Sequence, residues 1–213
     1  MIEYSKFREF KTNEEIIDWI KIHYPEIVMP DKNSEWYYPL LGYTGGMYRE
    51  INNNLRYCQG NYELLNNRNK KDLYDDIVPI INFLEKRCLP ENVVLYRYTN
   101  MKDIKNANNK KKPKIGDTLT YSCFCSTSLW KGGIEHLTEE HRHSCLLKIY
   151  AEQGTIGSYV SLAENADGYC EHEFLLPLGA RFKILSLDNI FFPKAIECVL
   201  LKNELNKNSI RQN

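Results

Sequence analysis

The sequence lacks any excess of charge. Among its 213 residues, 28 Lys and Arg are balanced by 28 Asp and Glu. A neutral chain has no overall field that would draw it to nucleic acid or to an anionic membrane surface. We therefore expect neither among its partners, and a nucleic-acid role would need a local patch.

Long apolar runs are also missing, and no stretch approaches the roughly 18 residues of a membrane-spanning helix. The opening MIEYSKFREF lacks the basic-then-apolar order of a secretory signal, so we expect a soluble chain. Seven cysteines, an odd number, are scattered and stand mostly inside apolar runs. This pattern favours buried free thiols over a disulfide framework and indicates action in a cytosol, either the maker's or that of a cell into which the protein is injected.

The usual metal and phosphate motifs are absent. His136, His141, His143 and Cys145 fall close together, but no Cys-x-x-Cys or His-Glu-x-x-His pattern accompanies them, and their spacing fits no common zinc site. We interpret this stretch as a loop with surface histidines and expect no metal. The glycines of residues 42–46 match neither a dinucleotide fingerprint nor a Walker motif.

The chain changes character near residue 91. Thr12 and Glu15 form a capping-box pattern before the apolar stripe of Ile16, Ile17, Trp19 and Ile20, and Pro25 ends that segment. Further helices are predicted over 46–55, 62–65 and 73–84. Strands are predicted over 93–98, 119–127, 145–151, 158–162, 173–177, 181–185 and 195–202. Helices first and strands later predict an α+β fold with a mainly antiparallel sheet. We expect one domain over 1–213, mainly helical in 1–90 and mainly β in 91–203.

A lysine-rich segment, NANNKKKPKIGD, lies between the first two predicted strands. Blocks of like charge are usually exposed to solvent. We interpret it as a solvated connection, with a binding patch as the alternative.

Two acids, Glu171 and Glu173, stand one residue apart at the entry to an apolar strand. Side chains at i and i+2 share a face, so both carboxylates can address one cavity if the strand has already begun there. Such a pair can stabilise a developing cation and accept a proton. The alternative is a surface strand whose Glu-His-Glu simply alternates in solvent.

Two further polar features interrupt apolar strands. Arg97 has the same parity as Val93 and Leu95, so it points to an otherwise apolar face, where an arginine needs a carboxylate or a phosphate. The run Ser126–Ser128 ends a strand in three hydroxyls, which can hold a ribose or orient an acid. Taken singly, each also fits an ordinary ion pair or a polar strand end.

In this order along the chain, Arg97, Ser-Thr-Ser and Glu-x-Glu resemble the Arg-Ser-Glu class of mono-ADP-ribosyltransferases. The sequence is similar to the clostridial actin- and Rho-modifying exoenzymes, many of whose relatives are bacterial toxins or effectors. Residues 43–56, 154–157 and 175–182 also look like parts of that family, so the likeness covers roughly residues 40 to 200. It implies N-terminal helices packed on a mainly antiparallel β-sandwich core.

The resemblance implies NAD as the substrate and no metal. Arg97 would hold the NAD pyrophosphate, with Asn52 and Arg56 adding contacts to the phosphates. Ser126 would position the catalytic glutamate and the nicotinamide ribose. Thr127 and Ser128 would support the cofactor site by keeping that strand end in place.

The resemblance also implies the reacting groups. Glu173 would bond the ribose 2′-hydroxyl and stabilise the oxocarbenium-like cation as nicotinamide leaves. The implied catalytic set is Arg97, Ser126, Glu171 and Glu173. Tyr169, in the loop that leads to these acids, would contact the target protein, and Arg142 is a candidate for the loop over the nicotinamide.

Glu171 would decide the acceptor. A target arginine has a pKa above 12 and is a poor nucleophile until a proton is removed, and a carboxylate beside the reacting carbon can take it. In this family a glutamate at this position goes with arginine and a glutamine with asparagine, so the likeness implies an arginine of a target protein.

Two other functions stay open. Water could be the main acceptor, which would make the protein an NAD glycohydrolase, or the fold could be a degenerate NAD-binding or interaction module. All the implied catalytic side chains are present, which argues against the second. We expect a monomer, and delivery into another cell would need a separate component or a secretion machine.

Overall fold

Helices occupy most of the first 85 residues and strands dominate after residue 93, which confirms the α+β class. The computed structural model describes residues 3–66, 70–137, 144–161, 170–191 and 193–202. Within these ranges no helix has both the length and the apolar character to cross a membrane.

Seven α-helices lie in the described part of the chain. They are α1 (Asn13–His23), α2 (Pro25–Val28), α3 (Tyr37–Gly42), α4 (Tyr48–Tyr57), α5 (Glu63–Asn66), α6 (Lys71–Glu85) and α7 (Met101–Ala107). A π-helical turn, Tyr43–Met47, joins α3 to α4, and a 3-10 turn covers Lys131–Ile134.

The start of α1 follows the predicted capping pattern. The Thr12 hydroxyl accepts a hydrogen bond from the Glu15 amide at 3.3 Å, and the Glu15 carboxylate accepts one from the Lys11 amide at 2.9 Å. The first bond satisfies an amide that an α-helix leaves unpaired at its first turn, and the second ties the residue before the N-cap to the helix. Pro25 ends the segment as predicted but also opens α2, because the first helical position needs no amide hydrogen.

Helix α7 was not predicted. Asn100 begins it, and its side-chain oxygen accepts hydrogen bonds from the amides of Lys102 and Asp103 at 3.0 Å each. The helix is only seven residues long and carries two buried apolar positions, Ile104 and Ala107, too few to give a clear helical period.

Eight strands form one hydrogen-bonded sheet in the order β2-β7-β8-β4-β1-β3-β6-β5. Their bounds are β1 (Val93–Thr99), β2 (Thr118–Thr120), β3 (Cys125–Ser128), β4 (Cys145–Ala151), β5 (Ser158–Tyr159), β6 (Glu173–Leu176), β7 (Arg181–Leu187) and β8 (Ala195–Leu201). All neighbours are antiparallel except β4 and β8. The expected sandwich takes the form of a single sheet, in which β1 and β3 share one residue pair, Tyr96 with Ser128.

The strand predicted over 119–127 is wrong as one element. It is two strands, β2 and β3, which lie in different parts of the sheet, since β2 pairs with β7 and β3 with β6. The connecting residues Cys123 and Phe124 are buried without joining a ladder. Their apolar character therefore comes from packing, and hydrophobicity alone does not separate packed from paired residues.

The two faces of the sheet have different neighbours. Val93 and Leu95 of β1 belong to the main core, which also contains the buried side chains of the helices, whereas Val94 and Tyr96 belong to a smaller cluster on the other face. Five of the seven cysteines are buried, as expected, but Cys88 is exposed.

Gly157 allows β5 to lie directly against β6. Its φ is +149°, and a Cβ there would lie 2.7 Å from a Phe174 ring carbon and 2.8 Å from the Leu175 carbonyl oxygen. Real Cβ atoms do not approach so closely, so a side chain here would push β5 away from β6.

We expect Gly157→Ala to lower the free energy of unfolding by about 2–4 kcal/mol, from steric overlap and from the positive φ. Gly154→Ala is the matched control, because Gly154 has a φ of +82° but nothing within 4 Å of its Cβ. The control should lose only about 1–2 kcal/mol. Denaturant unfolding measures both, and equal losses would exclude the close approach as the cause.

Candidate active site

Glu173 is the first residue of β6, and strand pairing brings Ser126 next to it. In the ladder between β3 and β6, Ser128 lies opposite Glu173 and Ser126 opposite Leu175. Opposite and diagonal side chains of an antiparallel pair share one face. The Ser126 side chain therefore reaches the Glu173 carboxylate and forms a hydrogen bond with it.

Glu173 is a perturbed acid. Its pKa is raised from 4.5 to about 7. Burial is the largest cause and the nearby Glu171 acts in the same direction, whereas the Ser126 hydrogen bond and the Arg97 charge oppose the rise. A desolvated carboxylate beside another acid is costly in an ordinary structural position. Perturbed groups of this kind cluster at functional sites.

Tyr43 links the helices to this acid, a role that the sequence did not assign. Its hydroxyl accepts a hydrogen bond from the Asn52 side chain at 3.0 Å and lies 3.5 Å from the Ser126 hydroxyl. Burial, with the Glu173 charge adding to it, raises the pKa of Tyr43 and keeps the phenol protonated. Asn52 is itself buried and donates its hydrogen bond to Tyr43. Its contact with the NAD phosphates stays a prediction.

Arg97 projects from β1 toward the first half of β3. Its Nη1 donates to the Ser126 carbonyl oxygen at 2.6 Å, and its guanidinium lies 5.5 Å from the centre of the Tyr121 ring. Its Nε is buried and has no hydrogen-bond partner within the described ranges. No carboxylate of those ranges forms an ion pair with it. The prediction that this arginine points to an apolar face and needs an anion fits the geometry.

Arg56 provides a second guanidinium group near that of Arg97. It is exposed on α4, and its Nη1 donates to Asn53 at 3.1 Å. Burial raises the pKa of the Cys123 thiol, and the charges of Arg56 and Arg97 both oppose that rise. The two guanidinium groups therefore lie near the same thiol, where together they can hold a diphosphate.

Thr127 and Ser128 hold the backbone around the two acids. Thr127 donates to the Phe174 carbonyl oxygen at 2.6 Å, and Ser128 contacts the Glu171 carbonyl oxygen at 2.6 Å. Both side chains are buried. The predicted role of fixing the strand end agrees with these contacts, and contact of these two residues with the cofactor stays a prediction.

Glu171 reaches the site differently from the way predicted. The strand begins only at Glu173, and His172 between the acids has a φ of +47°, so the alternation of a strand does not apply to Glu171. His172 is buried, with Nε2 donating to Asn13 at 2.5 Å and Nδ1 lying 3.2 Å from the Tyr159 hydroxyl. Burial lowers the pKa of His172 to about 4, so the imidazole is neutral and anchors the turn to α1.

His136 lies beside Glu171, and the sequence gave no sign of this contact. Its Nε2 is 3.5 Å from Glu171 Oε1, in the segment interpreted above as a loop with surface histidines. The 3-10 turn that precedes it packs under the acids, because a Cβ on Gly133 would lie 2.7 Å from the Cys170 carbonyl oxygen. His136 is not a surface residue, since its side chain is only 16% exposed.

Several predicted residues lie outside the described ranges, namely Tyr169, Arg142, His141 and His143. Within the described ranges no group of three or more His, Cys, Asp and Glu could hold a metal ion.

Comparison with known proteins shows the family to which the chain belongs. The model of the ADP-ribosyltransferase exoenzyme family matches residues 32–209. The chain belongs to this family. It is therefore an ADP-ribosyltransferase of the exoenzyme type, whose substrate is NAD.

Solved structures share the fold of this exoenzyme. The Clostridium limosum C3 exoenzyme is 21% identical, with a TM-score of 0.71 over 92% of this chain and 97% of that one. The C3stau2 protein of S. aureus, solved with NAD, is 17% identical, with a TM-score of 0.68 over 92% and 99%. BECa of the binary enterotoxin of C. perfringens, solved with NADH, is 21% identical, with a TM-score of 0.70 over 92% of this chain and 50% of that one. Among curated protein sequences none matches significantly.

The raised pKa of Glu173 predicts that the exoenzyme is stabilised when this acid is replaced by its neutral isostere. Between the ordinary pKa of 4.5 and about 7, the folded state holds a proton that the unfolded state has lost, so wild-type stability falls as pH rises through this window. We expect Glu173→Gln to match wild type near the low end and to gain on the order of 2 kcal/mol at about pH 8.

Urea unfolding of both proteins across this pH range measures the difference. A constant difference at every pH would contradict a desolvated carboxyl at this position.

Proposed function

We propose that this exoenzyme transfers ADP-ribose from NAD to an arginine side chain of a target protein and releases nicotinamide. The observation that carries the proposal is the half-buried Glu173 carboxylate, hydrogen bonded to Ser126 and close to both Arg97 and Glu171. A fixed anion in a partly dry site stabilises a nearby cation at little reorganisation cost.

Arg97 and Arg56 would hold the NAD pyrophosphate. The buried Arg97 Nε has a hydrogen to donate and no acceptor within the described ranges, and a phosphate oxygen would supply one. The second cation near Cys123 matches the second charge of the diphosphate. The C3stau2 and BECa structures, solved with NAD and NADH, lend support to this fold as a dinucleotide site.

Glu173 would act on the nicotinamide ribose. Its carboxylate would accept a hydrogen bond from the 2′-hydroxyl and stabilise the positive charge on C1′ as the bond to neutral nicotinamide breaks. Ser126, backed by Tyr43 and Asn52, would keep the carboxylate in place. These contacts matter because a loosely held carboxylate would lose much of the benefit of fixed geometry.

Glu171 would serve the acceptor. As the arginine nitrogen bonds to C1′, the guanidinium loses one proton. Glu171, the second carboxylate of the site, would receive that proton. The His136 contact and the Ser128 bond to the Glu171 carbonyl would hold this carboxylate in the direction of the acceptor. We propose arginine and not asparagine because, in the family that the sequence resembles, a glutamate at this position goes with an arginine acceptor.

The wider setting is also a proposal. We propose that residues 1–213 form a single catalytic domain, since one core contains side chains from Phe10 to Leu200. We further propose that the enzyme acts on a protein in the cytosol of another cell and arrives there through a separate component or a secretion machine. The description of BECa as part of a binary enterotoxin supports this setting.

Glu171→Gln separates transfer from hydrolysis. We expect this variant to lose arginine labelling by on the order of 100-fold or more and to keep much of its release of nicotinamide to water. Neutral water already has a free lone pair to attack C1′, whereas a guanidinium has none until a proton leaves it. Labelled NAD, a cell lysate and mass spectrometry of modified side chains measure transfer, and nicotinamide release measures hydrolysis.

Glu173→Gln is the control that should lose both reactions. Wild-type label on asparagine would overturn the choice of arginine, and release of nicotinamide without protein label would favour the glycohydrolase. Full activity of Glu173→Gln would contradict the proposed mechanism.

The rate should also follow the ionisation of Glu173. Because the carboxylate form is the active one, kcat/KM for nicotinamide release should rise with pH and level off above about 7, the pKa of this acid. Ser126→Ala removes a hydrogen bond that favours the ionised form, so the rise should move upward by about one pH unit. A flat profile, or the same profile in both proteins, would contradict this assignment.

A further inference from the structure

Two turns at one edge of the sheet expose large apolar side chains. Ile115 lies in the turn before β2 and is 65% exposed, while Ile190 and Phe191 lie in the turn between β7 and β8 and are 70% and 69% exposed. The turns are in contact, since the Lys112 ammonium lies 4.7 Å from the centre of the Phe191 ring. The Gly116 amide also donates to the Ile184 carbonyl oxygen at 2.9 Å, which fixes the first turn against β7.

Lysines surround these apolar side chains. We call the surface the edge patch, and it consists of Ile115, Ile190 and Phe191 with the exposed lysines Lys110, Lys111, Lys112, Lys114 and Lys194. Within the described ranges no carboxylate forms an ion pair with any of the five lysines. Exposed ammonium groups of this kind keep their full charge for a partner.

The acids of the same turns are engaged by local donors. Asp117 accepts hydrogen bonds from the Asn108 side chain at 2.9 Å and from the Lys114 amide at 3.0 Å. Asp188 accepts from the Lys194 amide at 2.9 Å. Each carboxylate therefore shapes its turn, and the patch carries five cations against these two anions.

We propose that the edge patch docks the protein on an anionic lipid surface. Ile115, Ile190 and Phe191 would enter the boundary between headgroups and acyl chains, and the lysines would contact the acidic headgroups. Exposed apolar side chains beside clustered lysines are the combination that holds peripheral proteins at such surfaces, because apolar burial and charge attraction add. The neutral overall composition hides this local concentration of charge.

Lipid fits the patch better than nucleic acid does. Two of the three apolar side chains are aliphatic and offer no ring for a base to stack on, and the patch contains no arginine to read a base edge or stack on it. This proposal takes the alternative given above for the lysine-rich segment, a binding patch, in place of a connection that is only solvated.

The position of the patch leaves the active site accessible. The patch lies in the turn before β2 and the turn between β7 and β8, whereas the two acids and Ser126 lie on or next to β3 and β6. In the sheet, β4 and β1 separate β8 from β3. Docking would hold the enzyme near targets at the membrane. The inference is independent of the proposed function, since it needs neither NAD nor an acceptor.

Sedimentation with vesicles tests the proposal. The full chain should bind vesicles of phosphatidylcholine and phosphatidylserine at low salt, bind phosphatidylcholine alone much more weakly, and lose binding at high salt. Lys111→Gln/Lys112→Gln should weaken binding by about 25-fold, from about fivefold for each lysine. Ile115→Ser/Phe191→Ser should weaken it by tenfold or more.

The matched control is Lys71→Gln/Lys86→Gln, which removes the same charge from exposed positions at the two ends of α6. It should bind like wild type, and thermal unfolding confirms that all variants fold. Failure of wild type to bind, or equal loss in the control, would overturn the proposal. So would binding that survives in Ile115→Ser/Phe191→Ser and is abolished by a single-stranded oligonucleotide, because the patch would then be a general polyanion site.

Discussion

A carboxylate that has lost much of its water stands at the start of β6, and one serine hydroxyl, one arginine and a second acid surround it. Burial and the neighbouring Glu171 disfavour its charge, and Ser126 and Arg97 favour it, with a pKa of about 7 as the balance. The register between β3 and β6 creates this set, because a one-residue slip would turn Ser126 to the opposite face. The buried chain from Asn52 through Tyr43 then ties the helices to the same point.

The two acids differ in what holds them. Glu173 belongs to a strand and has a half-buried environment, whereas Glu171 follows no regular element and is held through its backbone, by Ser128 and by the left-handed His172. Different surroundings let two carboxylates take different roles in one site. His172, neutral and buried against Asn13 and Tyr159, lies between the two acids and fixes the spacing between Glu171 and Glu173.

The sheet also separates two kinds of surface. Its β3–β6 side concentrates acids and buried polar groups, while its β2–β7 edge concentrates lysines and exposed apolar side chains. Both arise in a chain with no net charge, because charge balance over 213 residues places no limit on how the charges are distributed locally.

The sequence by itself determined the α+β class, most strands and the capped start of α1, and it predicted Arg97, Ser126 and Glu173 as site residues. These follow from local periodicity, strand parity and ordered motifs that the chain carries in short stretches. Only the tertiary structure decided that 119–127 is two strands, that Tyr43 and His136 reach the acids, and that Thr127 and Ser128 bond to backbone. Each of these depends on contacts between residues far apart in sequence, and local pattern contains no information about such contacts.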